Sequence, residues 1–93
     1  FGLPLMINKI NKKDKERFMN YLNINGIETR PLLSGNFLNQ PSAKLYNLNK
    51  NDLKFPNAQL IEDQGFFIGL PTEKINENKL DFLSKKLMNI DNF

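Results

Sequence analysis

The chain has no cysteine, no histidine and no tryptophan. The first two absences remove disulfides, thiolate nucleophiles, Cys/His zinc sites and imidazole acid–base chemistry. A lack of cysteine also suits the reducing cytoplasm, where we expect the protein to reside. Arginine occurs only at Arg17 and Arg30, so the net charge of +3 rests on lysine. Lysines spread over helix faces more often solubilise a protein than bind nucleic acid. No apolar stretch approaches the ~20 residues that a bilayer-spanning helix needs. The opening Phe1-Gly2-Leu3-Pro4 lacks the basic leader and long apolar segment of a signal peptide. It has no initiator Met and runs directly into a strand-like segment, so we expect a piece of a longer protein.

What remains is enough for one small domain. A chain of 93 residues suits a single unit, and one this size buries somewhat over ~60% of its unfolded surface. A hydrophobic fraction of 40% with eight Phe is ordinary for a folded domain.

Local patterns divide the chain. Phe1 to Ile7 reads as a strand with Pro4 near its start or on an edge. Asn11 is placed to cap a helix, with Asp14 in its favourable first turn. Phe18, Met19, Tyr21 and Leu22 recur near helical spacing, and Gly26 supplies a left-handed stop followed by apolar Ile27. Glu28 to Leu33 reads as a second strand and Ser34 to Gln40 as loop. Pro41 to Tyr46 suits one helical turn, and Asn47 to Lys54 is polar loop. Pro56 suits the first position of a helix containing Ala58, Leu60 and Ile61, with Gly65 as its stop. Phe66 to Leu70 is a short third strand. A last helix starts near Asn76 and carries the stripe Leu80, Leu83, Leu87, Ile90. The order strand, helix, strand, loop, helix, strand, helix predicts an α/β fold, a small two-layer sandwich.

The most informative phrase is Gly26 to Pro41, G-I-E-T-R-P-L-L-S-G-N-F-L-N-Q-P. It sets Arg30 inside an otherwise apolar strand and follows it with a polar, glycine-containing loop. Arg30 either clamps a phosphate or carboxylate with its planar fork, or pairs with Glu28 or Glu62. Ser34-Gly35-Asn36 either presents N–H groups and an amide to a ligand or forms a plain turn, the commoner use of these residues. Gly65 and Gly69 either admit a ligand close to the backbone or mark a helix stop and a strand kink. No phosphate-binding G-x-x-x-x-G-K or G-x-G-x-x-G occurs. Glu62, Asp63 and Asp81 show no paired spacing for acid–base work and read as solvated helix faces. Phe66 and Phe67 are not interleaved with basic residues, which argues against a single-strand nucleic-acid platform.

Taken in order, Phe1-Gly2-Leu3-Pro4, G-I-E-T-R-P-L-L-S-G-N, Gln40-Pro41, Pro56-Asn57-Ala58 and G-F-F-I-G-L-P resemble the C-terminal domain of DegT/StrS-type enzymes. These are pyridoxal-phosphate-dependent sugar aminotransferases and their dehydratase relatives. The S-G-N…Q-P form looks closest to the nucleotide-diphospho-4-keto-6-deoxyhexose 3-dehydratases of O-antigen, lipopolysaccharide and deoxysugar synthesis. The resemblance implies the small domain of an aspartate-aminotransferase-like fold. Residues 1–93 would then be the C-terminal piece of a two-domain, homodimeric enzyme. It implies that pyridoxal 5'-phosphate is held mainly by the missing large domain, through a lysine in aminotransferases or a histidine in dehydratases. It implies no catalytic residue and no metal here, and a substrate-facing role for Arg30, Ser34, Asn36 and Gln40 toward a nucleotide-diphosphate sugar. Nucleic acid and membrane are not expected partners. The competing classes are a free-standing module for RNA or an acidic partner, and a purely structural interaction domain.

Overall fold

The computed structural model of the protein describes residues 2–48, 54–71 and 73–93. Among these residues three strands and three α-helices, with short 3-10 turns, form a small mixed α/β domain. The first strand, β1, spans Gly2–Met6. Helix α1, Lys12–Ile24, starts where Asn11 caps it: the Asn11 side chain accepts the Asp14 N–H at 2.8 Å. Its end follows the left-handed motif expected of Gly26. Gly26 has φ +84°, its N–H reaches Asn23 O at 3.0 Å, and the Ile27 N–H reaches Leu22 O at 2.9 Å. Those two bonds satisfy carbonyls that the helix would otherwise leave open.

The chain then forms β2, Thr29–Pro31, shorter than the strand expected over Glu28 to Leu33. Two 3-10 turns follow, Phe37–Asn39 inside the expected loop and Pro41–Tyr46. Of the polar loop expected at Asn47 to Lys54, positions 49–53 lie outside the described residues. Helix α2, Pro56–Gln64, has proline in its first turn and runs without a break into β3, Gly65–Gly69. Gly65 does end the helix, but in an extended conformation and as the first strand residue. A Cβ there would lie 2.6 Å from Ile61 O and 2.8 Å from Leu32 Cδ1, so close packing explains the glycine. Helix α3, Glu77–Met88, is capped by Asn76, whose side chain accepts the Lys79 N–H at 2.9 Å.

The sheet order is β1-β3-β2, with both pairings antiparallel. The last strand in sequence is therefore the central one, and its residues Phe66 and Ile68 are fully buried. In register with them stand Leu5 and Leu3 of β1 and Pro31 and Thr29 of β2. On this face Phe66 and Ile68 meet Phe18 and Leu22 of α1, with Leu83 and Leu87 of α3 and Ile90 packed around them. Phe18 is the hub, in an edge contact with Phe66 and another with Phe93. Leu80, expected in the same stripe, is 46% exposed.

Side chains alternate across a strand. The opposite face therefore carries Pro4, Phe67 and Arg30, which lie opposite one another in the register. The hollow over this face, about 650 Å³, is lined by strand and loop residues such as Arg30, Leu33, Phe67 and Leu70, with none from a helix. Among the described residues no helix is long and apolar enough to cross a membrane.

Candidate functional site

The residues singled out from the sequence do not share one pocket. Arg30 stands on the uncovered sheet face, where its Nη2 donates to Glu28 Oε1 at 2.8 Å and its Nε to the same oxygen at 3.2 Å. Both side chains are largely exposed. Of its two possible intramolecular partners, Glu28 and Glu62, the structure selects Glu28. An exposed pair of this kind is worth only about 0–1 kcal/mol, so the guanidinium remains available to a stronger anion.

Ser34 and Gln40 line a different hollow, a cleft of about 380 Å³ between α1 and the loop. Lys12, Lys15 and Glu16 line its helix side, and Glu62 also borders it. Two ammonium groups and two carboxylates give the cleft no dominant sign.

Asn36 lines neither hollow. It is buried at 8% exposure, and its amide is committed within the chain. Its Oδ1 accepts the Leu38 N–H at 3.1 Å, capping the 3-10 turn Phe37–Asn39. Its Nδ2 donates to Gln59 Oε1 at 3.1 Å.

That bond opens a network which the sequence reading missed. Asn39 Nδ2 donates to both Gln59 Oε1 and Glu62 Oε2, each at 2.8 Å. Gln59 Nε2 donates to Glu62 Oε2 and to Asp63 Oδ1, each at 3.0 Å. The Asn36 N–H points at Glu62 Oε1 at a longer 3.4 Å. Glu62 and Asp63 were expected on a solvated helix face. Instead both are partly buried, Glu62 against the loop and Asp63 beside Gln59 of its own helix, while the apolar Leu60 and Ile61 are 45% and 41% exposed. Helix α2 turns its polar side inward because the loop offers it amides.

Gly35 sets the distance between loop and helix. A Cβ on it would collide with Glu62 Cβ and lie 2.5 Å from Glu62 Cα. Only a residue without a side chain lets the two backbones approach so closely.

The helix is in turn fixed to α1 by Lys15, which is buried at 5% exposure. Its Nζ donates to Glu62 O at 2.7 Å and to Gly65 O at 3.2 Å. An ammonium at a helix C-terminus also meets the negative end of its dipole. Burial pushes the Lys15 ammonium below its ordinary pKa, with Lys12 adding to the fall and Glu16, Asp63 and Glu62 opposing it. For Glu62, partial burial acts to raise the pKa. Hydrogen bonds from Asn36, Gln59 and Asn39, with the charge of Lys12, outweigh it and hold the carboxyl below its usual range.

Two signals in the sequence pointed here. Lys15, Phe18 and Leu22 fall on one helical stripe, so a lysine sits on the buried side of α1. Gln59 and Glu62 are three apart and hence neighbours on α2. Neither signal names the loop amides or the carbonyls that complete the network, because those are 20 or more residues away in sequence.

Among the described residues no group of three or more acidic, cysteine or histidine side chains is placed to hold a metal ion. Nor do they fit the carbonyl of pyridoxal phosphate: the one buried lysine has its ammonium engaged by two backbone carbonyls. No protein-family model, curated protein or solved structure matches the chain.

Proposed function

We propose that this chain is the small domain of an enzyme with the aspartate-aminotransferase-like fold. More narrowly, it serves a DegT/StrS-type enzyme acting on a nucleotide-diphospho-4-keto-6-deoxyhexose, as aminotransferase or 3-dehydratase. The ordered phrases of the sequence support this reading. The structural observation that carries it furthest is the uncovered sheet face, with Arg30 and partly buried Phe67 in register across it. A neighbouring domain would cover that face, hold the cofactor and place the substrate between itself and Arg30. No step of the chemistry is assigned to a residue of this chain. Its part is to bind and orient: Arg30 offers a two-pronged donor to a phosphate or sugar oxygen, Ser34 and Gln40 offer neutral polar groups at the loop edge, and Asn36 holds that loop in shape.

The test is turnover by the whole reading frame that contains this chain, assayed with pyridoxal phosphate and such a nucleotide sugar. The loss of a charged hydrogen-bond partner is typically worth ~1.5–3 kcal/mol, so Arg30→Ala should lower kcat/KM by roughly tenfold to a hundredfold. Arg30→Lys should recover part of it, because an ammonium lacks the planar fork. Unchanged kinetics with a lowered melting temperature would assign Arg30 to structure. Absence of any pyridoxal-dependent turnover would remove the reading itself.

A further inference from the structure

We propose that Glu62 is a positioning residue: together with Gln59 it fixes the shape of the Ser34–Gln40 loop, and Lys15 fixes the turn of α2 that carries it. The loop has little else to hold it. Its own bonds are the turn contacts Asn39 N–H to Asn36 O at 3.0 Å and Gln40 N–H to Phe37 O at 2.9 Å, with the Asn36 side chain capping the Leu38 N–H at 3.1 Å. Leu33, just before it, is 97% exposed, and Phe37 within it is 44% exposed. Of its apolar residues only Leu38 is partly buried, so apolar packing anchors the loop at a single point.

Glu62 answers the loop with both carboxylate oxygens. Oε2 takes Asn39 and Gln59, and Oε1 faces the Asn36 N–H. An acceptor-only group suits this place because the groups around it are donors. Gly35 lies flush on the Glu62 backbone, so loop and helix meet as one surface. Lys15 closes the chain of contacts by holding the carbonyl of Glu62 itself. A shift of α1 against α2 would thus move the loop that carries Ser34 and Gln40.

The importance of this loop for a nucleotide sugar rests on the function proposed above; the role of Glu62 in ordering it does not. The experiment contains no ligand, so either idea can fail without the other. Amide hydrogen exchange is followed in the 93-residue chain for the wild type, Glu62→Ala, Glu62→Gln and the exposed control Asp81→Ala. Loss of a hydrogen-bonding partner should speed exchange at Leu38, Asn39 and Gln40 by roughly tenfold in Glu62→Ala. The core amides of Leu22, Phe66 and Ile68 should stay protected. Glu62→Gln keeps the shape but sets an NH2 among donors, so it should fall between the two; it also serves if Glu62→Ala does not fold.

A second readout is acidification. Lys12, Lys15 and Glu16 of α1 border the same cleft as Glu62, and Gln59 joins Asp63 of α2 to its carboxylate. Its folded pKa is depressed, so its contribution is full above the ordinary carboxylate range and is lost as pH falls through the folded value. The loop amides should titrate there in the wild type and not in Glu62→Gln. Loop exchange unchanged in both variants would overturn the proposal. So would faster exchange spread equally through the core, which would make Glu62 a general scaffold residue.

Discussion

Lys15 shows how a charged side chain is used as structure. Most lysines keep their ammonium in water, and one that is buried needs acceptors to offset the loss of solvation. Here two backbone carbonyls, of Glu62 and Gly65, supply them at the joint between α2 and β3. Replacing Lys15 with Met keeps much of the volume and removes both donors. Leaving a buried acceptor unpaired costs about 1–3 kcal/mol, and Lys15→Met should destabilise the chain by that order in a urea titration. A midpoint equal to that of the wild type would mean that water serves the two carbonyls as well. The sequence exposed half of this: Lys15 lies on the stripe of Phe18 and Leu22, but its acceptors are 47 and 50 residues away. Gly35 was legible in the same partial way. Its place between Ser34 and Asn36 marks a turn, while the contact that demands glycine comes from a distant helix.

The elements separate by the origin of their signals. Helices α1 and α3 were legible because their caps are local: Asn11 and Asn76 each bond an amide three residues on. Gly26 was legible for the same reason. Helix α2 was found in place, but Glu62 and Asp63 were read as a solvated face. Both are partly buried, Gln59 and Glu62 look to the loop, and the apolar Leu60 and Ile61 are 45% and 41% exposed. Tertiary hydrogen bonding overrode hydrophobic pattern there. The sheet order was not legible either, because nothing local says that the last strand lies between the first two. These faces can be told apart by truncation. Leu22 is fully buried, and Leu22→Ala should cost ~2–5 kcal/mol. Leu60→Ala, on the outer side of α2, should stay within about 0.5 kcal/mol. Equal losses measured by denaturant unfolding would show that α2 buries its apolar side after all.

The molecule as a whole exposes more surface than its length predicts. Its accessible area is 7369 Å². A compact chain of this mass is expected to expose about 5,500 Å². Its radius of gyration is 15.8 Å, against about 12 Å for a compact domain of this length. The area scaling for unfolded chains then gives burial of only about half the unfolded surface, below the ~60% expected from length alone. The shortfall shows in the core, whose fully enclosed cluster is Phe18, Leu22, Phe66 and Ile68. It shows also at the surface, where Leu33, Leu45, Tyr46 and Met88 stand open and the half-exposed Phe37 pairs with Tyr46 at 6.4 Å.

Charge does not account for this open surface. The net charge is only +3, and it rests on lysines dispersed along the chain. Binding of a nucleic-acid strand should therefore be weak and vanish as salt rises, since counterion release from a few contacts falls steeply with ionic strength. Binding that persists at moderate salt would favour an RNA-binding module over a piece of a sugar enzyme. The area excess is roughly 1,900 Å², more than twice the ~800 Å² that one partner gives to a standard interface, and it leaves room for a covering surface. Under the proposed function that surface belongs to the same polypeptide. The 93-residue chain alone should then unfold at low urea, with a small slope for its length, because the slope follows the area exposed on unfolding. Attached to the rest of its reading frame, the same residues should unfold later, and the amides of β1 and β2 should gain protection, since their open face would be covered. A free chain as stable as the attached one, with no change in strand protection, would show that the open face needs no partner and would withdraw the structural support for a two-domain enzyme.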